Sequence, residues 1–246
     1  MSFSLIIPLW NEGNNVAELV HAIAKSGLAE NGMKELVLVN NGSGDNTGEL
    51  VDTASSMYSW IVPVHLDVNH NYGGGVYEGF KRATTNVFCY IPGDLQVMPE
   101  DVVRVYKSFL ESKEPYDKLF IKGNRTVRHD PLQTQVVSWV YTVLANLILR
   151  LKIKDVNGLP KMFHRSLMDL VPTQRMKTFV FDSQIISIAR TNNWTIKEIP
   201  VTFHSRREGV SSWSSKRIQV YIQVFRQLLA LRSLRRAEGV PLERLR

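Results

Sequence analysis

The sequence predicts an α/β fold with a mostly parallel central sheet flanked by helices. Strand and helix signals alternate along the first hundred residues, and polar or glycine-rich turns follow the short apolar runs. Strands that alternate with helices imply parallel pairing through right-handed crossovers. With 246 residues, of which 44% are hydrophobic, the chain is long enough to bury one sizeable core.

The composition excludes several classes of protein. Charged residues make up 22% of the chain, which is ordinary for a globular protein and excludes a disordered, collagen-like or multi-span membrane protein. The single cysteine, Cys89, excludes a disulfide framework and favours a reducing compartment. The N-terminal segment lacks the basic region of a secretion signal, and the longest uncharged apolar run, 136–149, is shorter than the roughly 20 residues that span a bilayer. We therefore expect a cytoplasmic protein.

The first half of the chain contains four predicted strands and three predicted helices. The run 3–8 is apolar and ends at Pro8, as a buried strand does. Asn14 or Asn15 is a suitable cap for a helix that continues to about Lys25. The other signals predict strands at 35–39, 62–68 and 87–91, a helix capped by Thr47, and a glycine-rich turn at 71–75 before a helix at 76–83.

The second half has a different order of elements. The patterns predict strands at 118–122 and 196–203, and helices at 131–151, 162–170, 182–191 and 216–236. No proline-, glycine- or serine-rich linker separates the two halves. This favours one domain over residues 1–213, followed by a basic amphipathic helix and tail over residues 214–246.

Four loops follow predicted strands, at 8–12, 40–45, 69–75 and 92–96. In parallel sheets, ligands bind beyond the carboxyl ends of the strands, so each loop is a candidate for binding. Trp10 offers a ring for stacking on a base, and Glu12 offers a carboxylate for ring N–H groups or ribose hydroxyls. Amides such as Asn40 suit recognition of a base edge, although ordinary turn chemistry explains them equally well.

The segment that begins at Asn71 combines glycines with the start of a predicted helix. Backbone N–H groups at a helix start favour phosphate. It is not a dinucleotide-binding fingerprint, because Glu78 stands where the third glycine of Gly73-x-Gly75 belongs. A redox enzyme is therefore disfavoured.

The loop after the fourth predicted strand contains Asp94 and Gln96. One carboxylate together with an amide oxygen, water and substrate phosphate is a normal arrangement for Mg²⁺. A plain turn aspartate explains the segment by itself, so the metal site depends on what the other motifs imply.

Eight motifs in order resemble glycosyltransferase family 2 with the GT-A fold, in the branch of the dolichyl- or polyprenyl-phosphate hexose synthases. The resemblance covers residues 3–213. The motifs are Ile7-Pro-Leu-Trp-Asn-Glu12, Val39-Asn-Asn-Gly-Ser-Gly-Asp-Asn-Thr47, 71–83, Pro92-Gly-Asp-Leu-Gln-Val-Met-Pro-Glu100, Gly123-Asn-Arg125, Lys154-Asp-Val-Asn-Gly158, Phe181-Asp-Ser-Gln184, and Glu198-Ile-Pro-Val201 followed by Arg206-x-x-Gly209-x-Ser211.

The resemblance implies an inverting, metal-dependent transfer of a hexose from a nucleoside diphosphate sugar to a polyprenyl phosphate. It implies Mg²⁺ or Mn²⁺ on Asp94 and Gln96, and catalytic roles for Asp94, Asp182, Arg125 and Arg206. The nucleotide site would comprise Pro8, Trp10, Asn11, Glu12, Asn40, Asn71 and Gly73. The acceptor phosphate would meet Arg125, Arg128, Arg206 and Ser211.

Two departures from the family pattern keep alternatives open. Pro92 replaces the first aspartate of the metal motif, which leaves a non-catalytic nucleotide-binding relative as one alternative. Gln184 replaces a frequent glutamate and cannot act as a base. A sugar hydroxyl acceptor in polysaccharide or glycolipid synthesis would therefore need Asp182 as its base. A phosphate acceptor is already anionic at neutral pH and needs cations instead.

The positive charge is concentrated at the end of the chain. Residues 216–246 contain eight basic and two acidic residues, so six of the seven net positive charges fall there. Together with the apolar run 136–149, the helix at 216–236 suits a membrane interface, so we expect peripheral contact with an anionic membrane. Packing on the protein body or in a homo-oligomer is the alternative. Aromatic residues near the tail do not form a stacking platform, so nucleic acid is disfavoured.

Overall fold

A mixed sheet of seven strands organises the part of the protein that the structure describes. The computed structural model describes residues 1–171, 180–205 and 217–237. The strands are β1 (Phe3–Leu9), β2 (Met33–Asn41), β3 (Ile61–Leu66), β4 (Val87–Tyr90), β5 (Leu119–Arg128), β6 (Lys161–His164) and β7 (Thr195–Phe203). The helices are α1 (Gly13–Lys25), α2 (Thr47–Met57), α3 (Asn71–Arg82), α4 (Pro99–Leu110), α5 (Leu132–Leu149), α6 (Ser166–Asp169), α7 (Phe181–Thr191) and α8 (Arg217–Ala237).

The strand order is β3-β2-β1-β4-β6-β5-β7, and β1 to β4 pair in parallel as the alternating pattern predicts. Every residue of β1 is buried, because the strand lies in the middle of the sheet with helices on both faces. β5 and β7 also pair in parallel. The predicted α/β class with a mostly parallel sheet is confirmed.

The strand β6 corrects one prediction. We expect a helix over 162–170, but Lys161–His164 forms a strand that is antiparallel to both β4 and β5, and α6 is confined to Ser166–Asp169. Met162 and Phe163 are completely buried between the neighbouring strands. A segment of four residues is too short for its periodicity to separate strand from helix, and pairing with β4 and β5 decides the structure.

The glycine-rich segment is a second correction. Residues 71–75 form the start of α3 rather than a turn before it. A Cβ atom on Gly75 would lie 2.9 Å from Cβ of Pro8, and one on Gly79 would lie 2.4 Å from Cγ2 of Ile6. The glycines therefore allow α3 to pack closely on β1, and β1 itself continues past Pro8 to Leu9.

The start of α1 also differs from the prediction. The helix begins at Gly13 with Glu12 as the capping residue, so neither Asn14 nor Asn15 is the cap. The side chain of Asn15 instead donates a hydrogen bond of 2.5 Å to Glu12 Oε2. A carboxylate in this place is favourable near the positive end of the helix dipole.

The helices α5 and α8 contact one another on the outside of the domain. Of α8, Val224 and Leu228 are buried, whereas Phe225 remains 44% exposed. Part of the predicted apolar face of α8 is thus packed against the protein, and part of it remains exposed to solvent.

By length and composition α5 is apolar enough to cross a membrane, with a mean hydropathy of 1.3. One of its faces is held to the domain, as shown by the hydrogen bond of 2.6 Å from Arg125 to Ser138.

Candidate active site at the carboxyl ends of the strands

The loops after β1 and β2 interlock through side chains. Asn11 Oδ1 accepts a hydrogen bond of 2.9 Å from the Gly44 amide, and the Asn11 amide donates to Ser43 Oγ at 3.0 Å. The Glu12 amide donates to Thr47 Oγ1 at 2.9 Å. The predicted convergence of these loops is confirmed, and the side chain of Asn11 supports the loop that follows β2.

The paired amides after β2 have structural partners as well. Asn41 is 2% exposed and fastens the start of α3, with hydrogen bonds to the backbone of His70 and Asn71 at 3.0 Å. Asn40 Oδ1 accepts from Ser43 N at 3.2 Å, and its Nδ2 lies 3.3 Å from Nδ1 of His65. Asn41 therefore joins the second and third loops, which is a role that turn composition did not reveal.

The other residues predicted to bind nucleotide differ in exposure. Trp10 is 44% exposed at the end of β1. Asn71 is also exposed and has a left-handed backbone with φ 58°. Pro8 and Gly73 are buried within β1 and α3. The edge of the sheet thus presents the accessible ring of Trp10 and the amide of Asn71. Pro8 and Gly73 are buried parts of the elements that carry them.

Asp94 and Gln96 flank a strained turn. Leu95 between them has φ 59°, a conformation that is uncommon for a non-glycine residue and concentrates at functional sites. Asp94 is 6% exposed, and its Oδ1 accepts a hydrogen bond of 3.2 Å from the Gln96 amide. Gln96 Nε2 donates to the carbonyl of His204 at 3.0 Å, so the acceptor atom of this amide, Oε1, is the one suited to a cation.

Within the described ranges, no group of three or more His, Cys, Asp or Glu side chains is arranged to hold a metal. Pro92, which replaces the first aspartate of the motif, supplies no ligand. Asp94 and Gln96 nevertheless fit a site in which water and diphosphate oxygens complete the coordination of Mg²⁺ or Mn²⁺. His204, which the sequence analysis did not select, lies beside Gln96 because its amide donates to the Gln96 carbonyl at 3.0 Å.

Asp182 lies in the first turn of α7 and contacts two strands. Its Oδ1 accepts a hydrogen bond of 2.6 Å from the hydroxyl of Tyr90 and lies 2.8 Å from Nζ of Lys161. The side chain of Lys161 is completely buried, whereas that of Asp182 is 16% exposed. Burial lowers the pKa of Lys161, although the charge of Asp182 opposes the shift. Sequence reasoning missed Lys161, because a lysine in a short apolar run has no pattern of its own.

Tyr72 is close to both of the predicted catalytic carboxylates. Burial raises the pKa of its phenol well above the usual value, and the charges of Asp182 and Asp94 raise it further. Its ring centroid lies 6.4 Å from that of Tyr90. In the part of the chain that the structure describes, its buried hydroxyl has no hydrogen-bond partner. A buried hydroxyl without a partner is costly, which makes it a candidate for contact with a substrate.

Three of the sequence motifs converge on one buried charge cluster. Arg125 donates from Nε and Nη2 to the two carboxylate oxygens of Asp155, both at 2.7 Å. Glu198 accepts from the backbone amides of Lys154 and Asp155 at 2.9 and 3.1 Å. Lys122 is completely buried and donates to the carbonyl of Asp155. The motifs around residues 123, 154 and 198 thus form one unit.

Burial and charge oppose each other in this cluster. Burial by itself raises the pKa of Asp155, but the hydrogen bonds and charge of Arg125 outweigh it and hold that pKa well below its usual value. For Lys122, burial and the neighbouring charge of Lys161 lower the pKa to about 8. Arg125 is therefore an ion-paired residue whose side chain is 6% exposed, rather than a free surface cation.

A cavity of about 340 Å³ lies between β5 and α5, beside this cluster. Three cations and one carboxylate, Arg125, Arg128, Lys154 and Asp155, contribute to its lining. The remaining lining residues are Asn124, Gln135, Val136, Ser138, Trp139 and Thr142. The lining thus has more cationic than anionic side chains and includes two apolar residues of α5, Val136 and Trp139.

The end of β7 connects this cavity with the turn at Asp94. The guanidinium groups of Arg125 and Arg128 lie 5.0 and 5.7 Å from the ring centroid of Phe203, and His204 follows it beside Gln96. Arg128 is also paired with Asp130, at 2.9 Å from its Nε. The predicted site residues Arg206 and Ser211 lie outside the described residues.

Comparison with known proteins identifies the family. Residues 4–171 match the family described as Glycosyl transferase family 2. The chain is 25% identical over 232 residues to the dolichol-phosphate mannosyltransferase of Pyrococcus furiosus, covering 93% of this chain and 64% of that protein. It is 25% identical over 217 residues to the undecaprenyl-phosphate 4-deoxy-4-formamido-L-arabinose transferase of Pseudomonas fluorescens, covering 87% of this chain and 61% of that protein. The chain thus spans less than two thirds of the length of both curated relatives.

Solved structures share the fold at low sequence identity. Glucosyl-3-phosphoglycerate synthase from Mycobacterium tuberculosis, in complex with Mn²⁺, UDP and glucosyl-3-phosphoglycerate, superposes with a TM-score of 0.66 at 15% identity, covering 98% of this chain and 81% of that one. TarS of S. aureus superposes with a TM-score of 0.58 at 19% identity, covering 96% of this chain and 39% of that one. The fold is therefore the GT-A fold that the motifs imply, and because the family match extends over more than half of its residues, the chain belongs to glycosyl transferase family 2.

Proposed function

We propose that this protein transfers a hexose from a nucleoside diphosphate sugar to a polyprenyl phosphate, with inversion at the anomeric carbon. The observation that carries the proposal is the cavity with cationic Arg125, Arg128 and Lys154 beside the apolar helix α5. Both curated relatives are named after a polyprenyl-type phosphate, dolichol phosphate in one and undecaprenyl phosphate in the other, which supports this class of acceptor.

The donor binds at the carboxyl ends of β1 to β4. Trp10 stacks on the base, Glu12, Asn40 and Asn71 contact the nucleoside, and Asn11 holds the loop beneath it. Asp94 and Gln96 hold Mg²⁺ or Mn²⁺, which when bound neutralises the diphosphate leaving group. The presence of Mn²⁺ and UDP in a structural neighbour at 15% identity shows no more than that the fold accommodates such ligands there.

The acceptor phosphate enters the cavity between β5 and α5. One of its oxygens forms the new bond to the anomeric carbon, the bond from that carbon to the diphosphate breaks, and the nucleoside diphosphate leaves. Arg125, Arg128 and Lys154 offset the crowded negative charge of donor and acceptor. Arg206 and Ser211 remain proposed phosphate contacts on the evidence of sequence alone.

The lipid part of the acceptor lies along an apolar surface. We define the α5–α8 surface as the exposed apolar side chains of these helices, which are Leu132, Val136, Val137, Trp139, Val140, Val143, Leu147, Ile222, Phe225 and Leu229. This surface, with basic residues of the C-terminal region nearby in sequence, suits peripheral contact with the cytoplasmic face of an anionic membrane. It equally offers a surface for a second copy of the chain.

The alternative acceptor is a sugar hydroxyl, with Asp182 as its general base. The partial exposure of the Asp182 carboxylate, 16%, is the observation that keeps this alternative. Asp182→Asn separates the two routes. A hydroxyl acceptor should lose about 10²–10⁴-fold in kcat because its base is gone, whereas a phosphate acceptor should lose far less.

The first test is a thermal-shift panel with UDP, GDP, CDP, dTDP and their sugars, with and without Mn²⁺. We expect one diphosphate to raise the melting temperature, and Mn²⁺ to enlarge the shift in the wild type but not in Asp94→Ala. Asp94→Ala should also abolish sugar transfer to a short-chain polyprenyl phosphate. A shift with a nucleotide but no transfer from any donor would support the non-catalytic nucleotide-binding alternative, and full activity in Asp94→Ala would refute the metal site.

A further inference from the structure

A row of large polar side chains crosses the sheet beneath Asp182. Lys161, the first residue of β6, is directly opposite Tyr90 of β4 on one side and Lys122 of β5 on the other. Residues directly opposite in an antiparallel pair project from the same face of the sheet. Asp182 at the start of α7 covers this row, with the neighbouring ring of Phe181 5.9 Å from that of Tyr90.

Two groups in the row bind the same oxygen of Asp182. The Tyr90 hydroxyl donates to Oδ1 at 2.6 Å, and Nζ of Lys161 lies 2.8 Å from Oδ1. Among the described residues, Asp182 is the single ion-pair partner of Lys161, and Nζ makes no other hydrogen bond. Both contacts therefore restrain one carboxylate oxygen and leave Oδ2 as the oxygen for a further contact.

We propose that Lys161 is a positioning residue, which acts with Tyr90 to hold Asp182 by Oδ1 so that Oδ2 is presented to the reacting sugar or acceptor. This inference rests on the proposed function, because it assigns the supporting contacts of a carboxylate that the proposal places at the acceptor. Lys161 itself touches no reacting atom.

The energetics favour a positioning role over a stabilising one. A buried ion pair contributes little net stability, because desolvation of both charges offsets their attraction, and an apolar pair of similar volume is often at least as stable. The side chain of Lys161 is completely buried while that of Asp182 is partly exposed, so the pair lies at the boundary between core and cleft. The buried lysine therefore serves to restrain the Asp182 carboxylate at the edge of the cleft.

The test is a double-mutant cycle in kcat. Lys161→Met should lower kcat by about the same factor as Asp182→Asn and by no more, because Lys161 acts only through that carboxylate, and the KM for the nucleotide sugar should change by less than about twofold. In an Asp182→Asn background the same substitution should change kcat by less than about twofold, because residues that act through one another are not additive. Equal effects of Lys161→Met in both backgrounds would overturn the proposal.

Lys118→Met is the control, since it removes an exposed ammonium that donates to the carbonyl of Asn192 and does not contact Asp182 or the charge cluster. It should leave kcat within about twofold of the wild type.

If Lys161→Met does not fold, Tyr90→Phe takes its place in the cycle because it removes the other bond to Oδ1. If Asp182→Asn has no measurable turnover, Lys161→Arg decides: recovery of kcat relative to Lys161→Met supports positioning, and no recovery refutes it.

Failure of this inference and failure of the proposed function are distinguishable. Wild-type transfer with additive effects of Lys161 and Asp182 would refute the positioning role alone. A wild-type protein that binds no nucleotide and transfers no sugar would refute both.

Discussion

The guanidinium group of Arg125 binds both carboxylate oxygens of Asp155 at 2.7 Å, and this ion pair forms one wall of the cationic cavity. The two residues belong to motifs that are thirty positions apart in the chain. The pair joins the end of β5 to the segment before β6, and so couples the stability of the domain to the shape of the proposed acceptor site.

Removal of the Asp155 charge should lower the unfolding free energy more at neutral pH than in acid. Because Arg125 holds the folded-state pKa of Asp155 below the unfolded value of 3.8, the stabilisation is complete above that value and is lost as the pH falls below it. Asp155→Asn should therefore cost about 3–5 kcal/mol of unfolding free energy at pH 7, as breaking a buried pair does, and much less near pH 2. Urea denaturation at both pH values measures this. Glu78→Gln, which breaks the exposed pair with Lys81, should cost less than about 1 kcal/mol.

Lys122 predicts a pH dependence in the alkaline range. Its folded-state pKa of about 8 lies below the ordinary 10.5, so the unfolded chain binds more protons between these values and stability should rise with pH across that window. Urea denaturation from pH 7.5 to 10.5 should show this rise in the wild type and a smaller rise in Lys122→Met. Identical slopes in both proteins would contradict the assignment.

Tyr72→Phe should separate stability from activity. The substitution removes a buried hydroxyl that has no partner in the described part of the chain, so the unfolding free energy should stay the same or increase by about 1 kcal/mol. If the hydroxyl contacts the donor or acceptor, kcat/KM should fall by about tenfold. Tyr116→Phe, at a tyrosine that is 49% exposed, should change neither quantity. A stability loss in Tyr72→Phe with unchanged kinetics would show that the hydroxyl is structural.

Gly79→Ala should destabilise the protein although alanine favours helix. An added Cβ would lie 2.4 Å from Ile6, so α3 must move away from β1, at a cost of about 1–3 kcal/mol. Gly44→Ala is the control, because an added Cβ there meets nothing within 4 Å. Thermal unfolding of both variants checks the prediction, and equal melting temperatures would contradict the close packing.

Trp139→Ser should weaken binding to membranes. Trp139 is 66% exposed on the α5–α8 surface, and its ring adds a large apolar contact area. In co-sedimentation with phosphatidylglycerol vesicles we expect the wild type to bind, and Trp139→Ser to bind several-fold more weakly. Met57→Ser, a change at an apolar residue of α2 that is 69% exposed, should have no effect. Equal binding of all three proteins would refute membrane contact through this surface, and self-association of the wild type that Trp139→Ser abolishes would favour a homo-oligomer.

The order of elements and the position of the site follow from the sequence. Alternating strand and helix signals require parallel strands, and parallel strands bring the segments that follow them to one edge of the sheet. This is why the loops at Asn11, Asn41 and Asn71 meet as predicted. Amphipathic periodicity was sufficient for α1, α2 and α7 because each has one buried face that contacts the core, whereas α4 was not predicted.

Tertiary contacts decided what local patterns left open. β6 is a strand because β4 and β5 pair with it on both sides, and Gly75 and Gly79 are needed in α3 because β1 lies too close for larger residues. The contact between Tyr90 and Asp182 joins residues 92 positions apart, and the burial of Lys161 beside them depends on the same packing. The sequence by itself determined the fold class and the types of polar residue at the carboxyl edge. Only the tertiary structure decided which of them support one another and which face the cleft, because each side chain's partners are set by strands and helices distant in the chain.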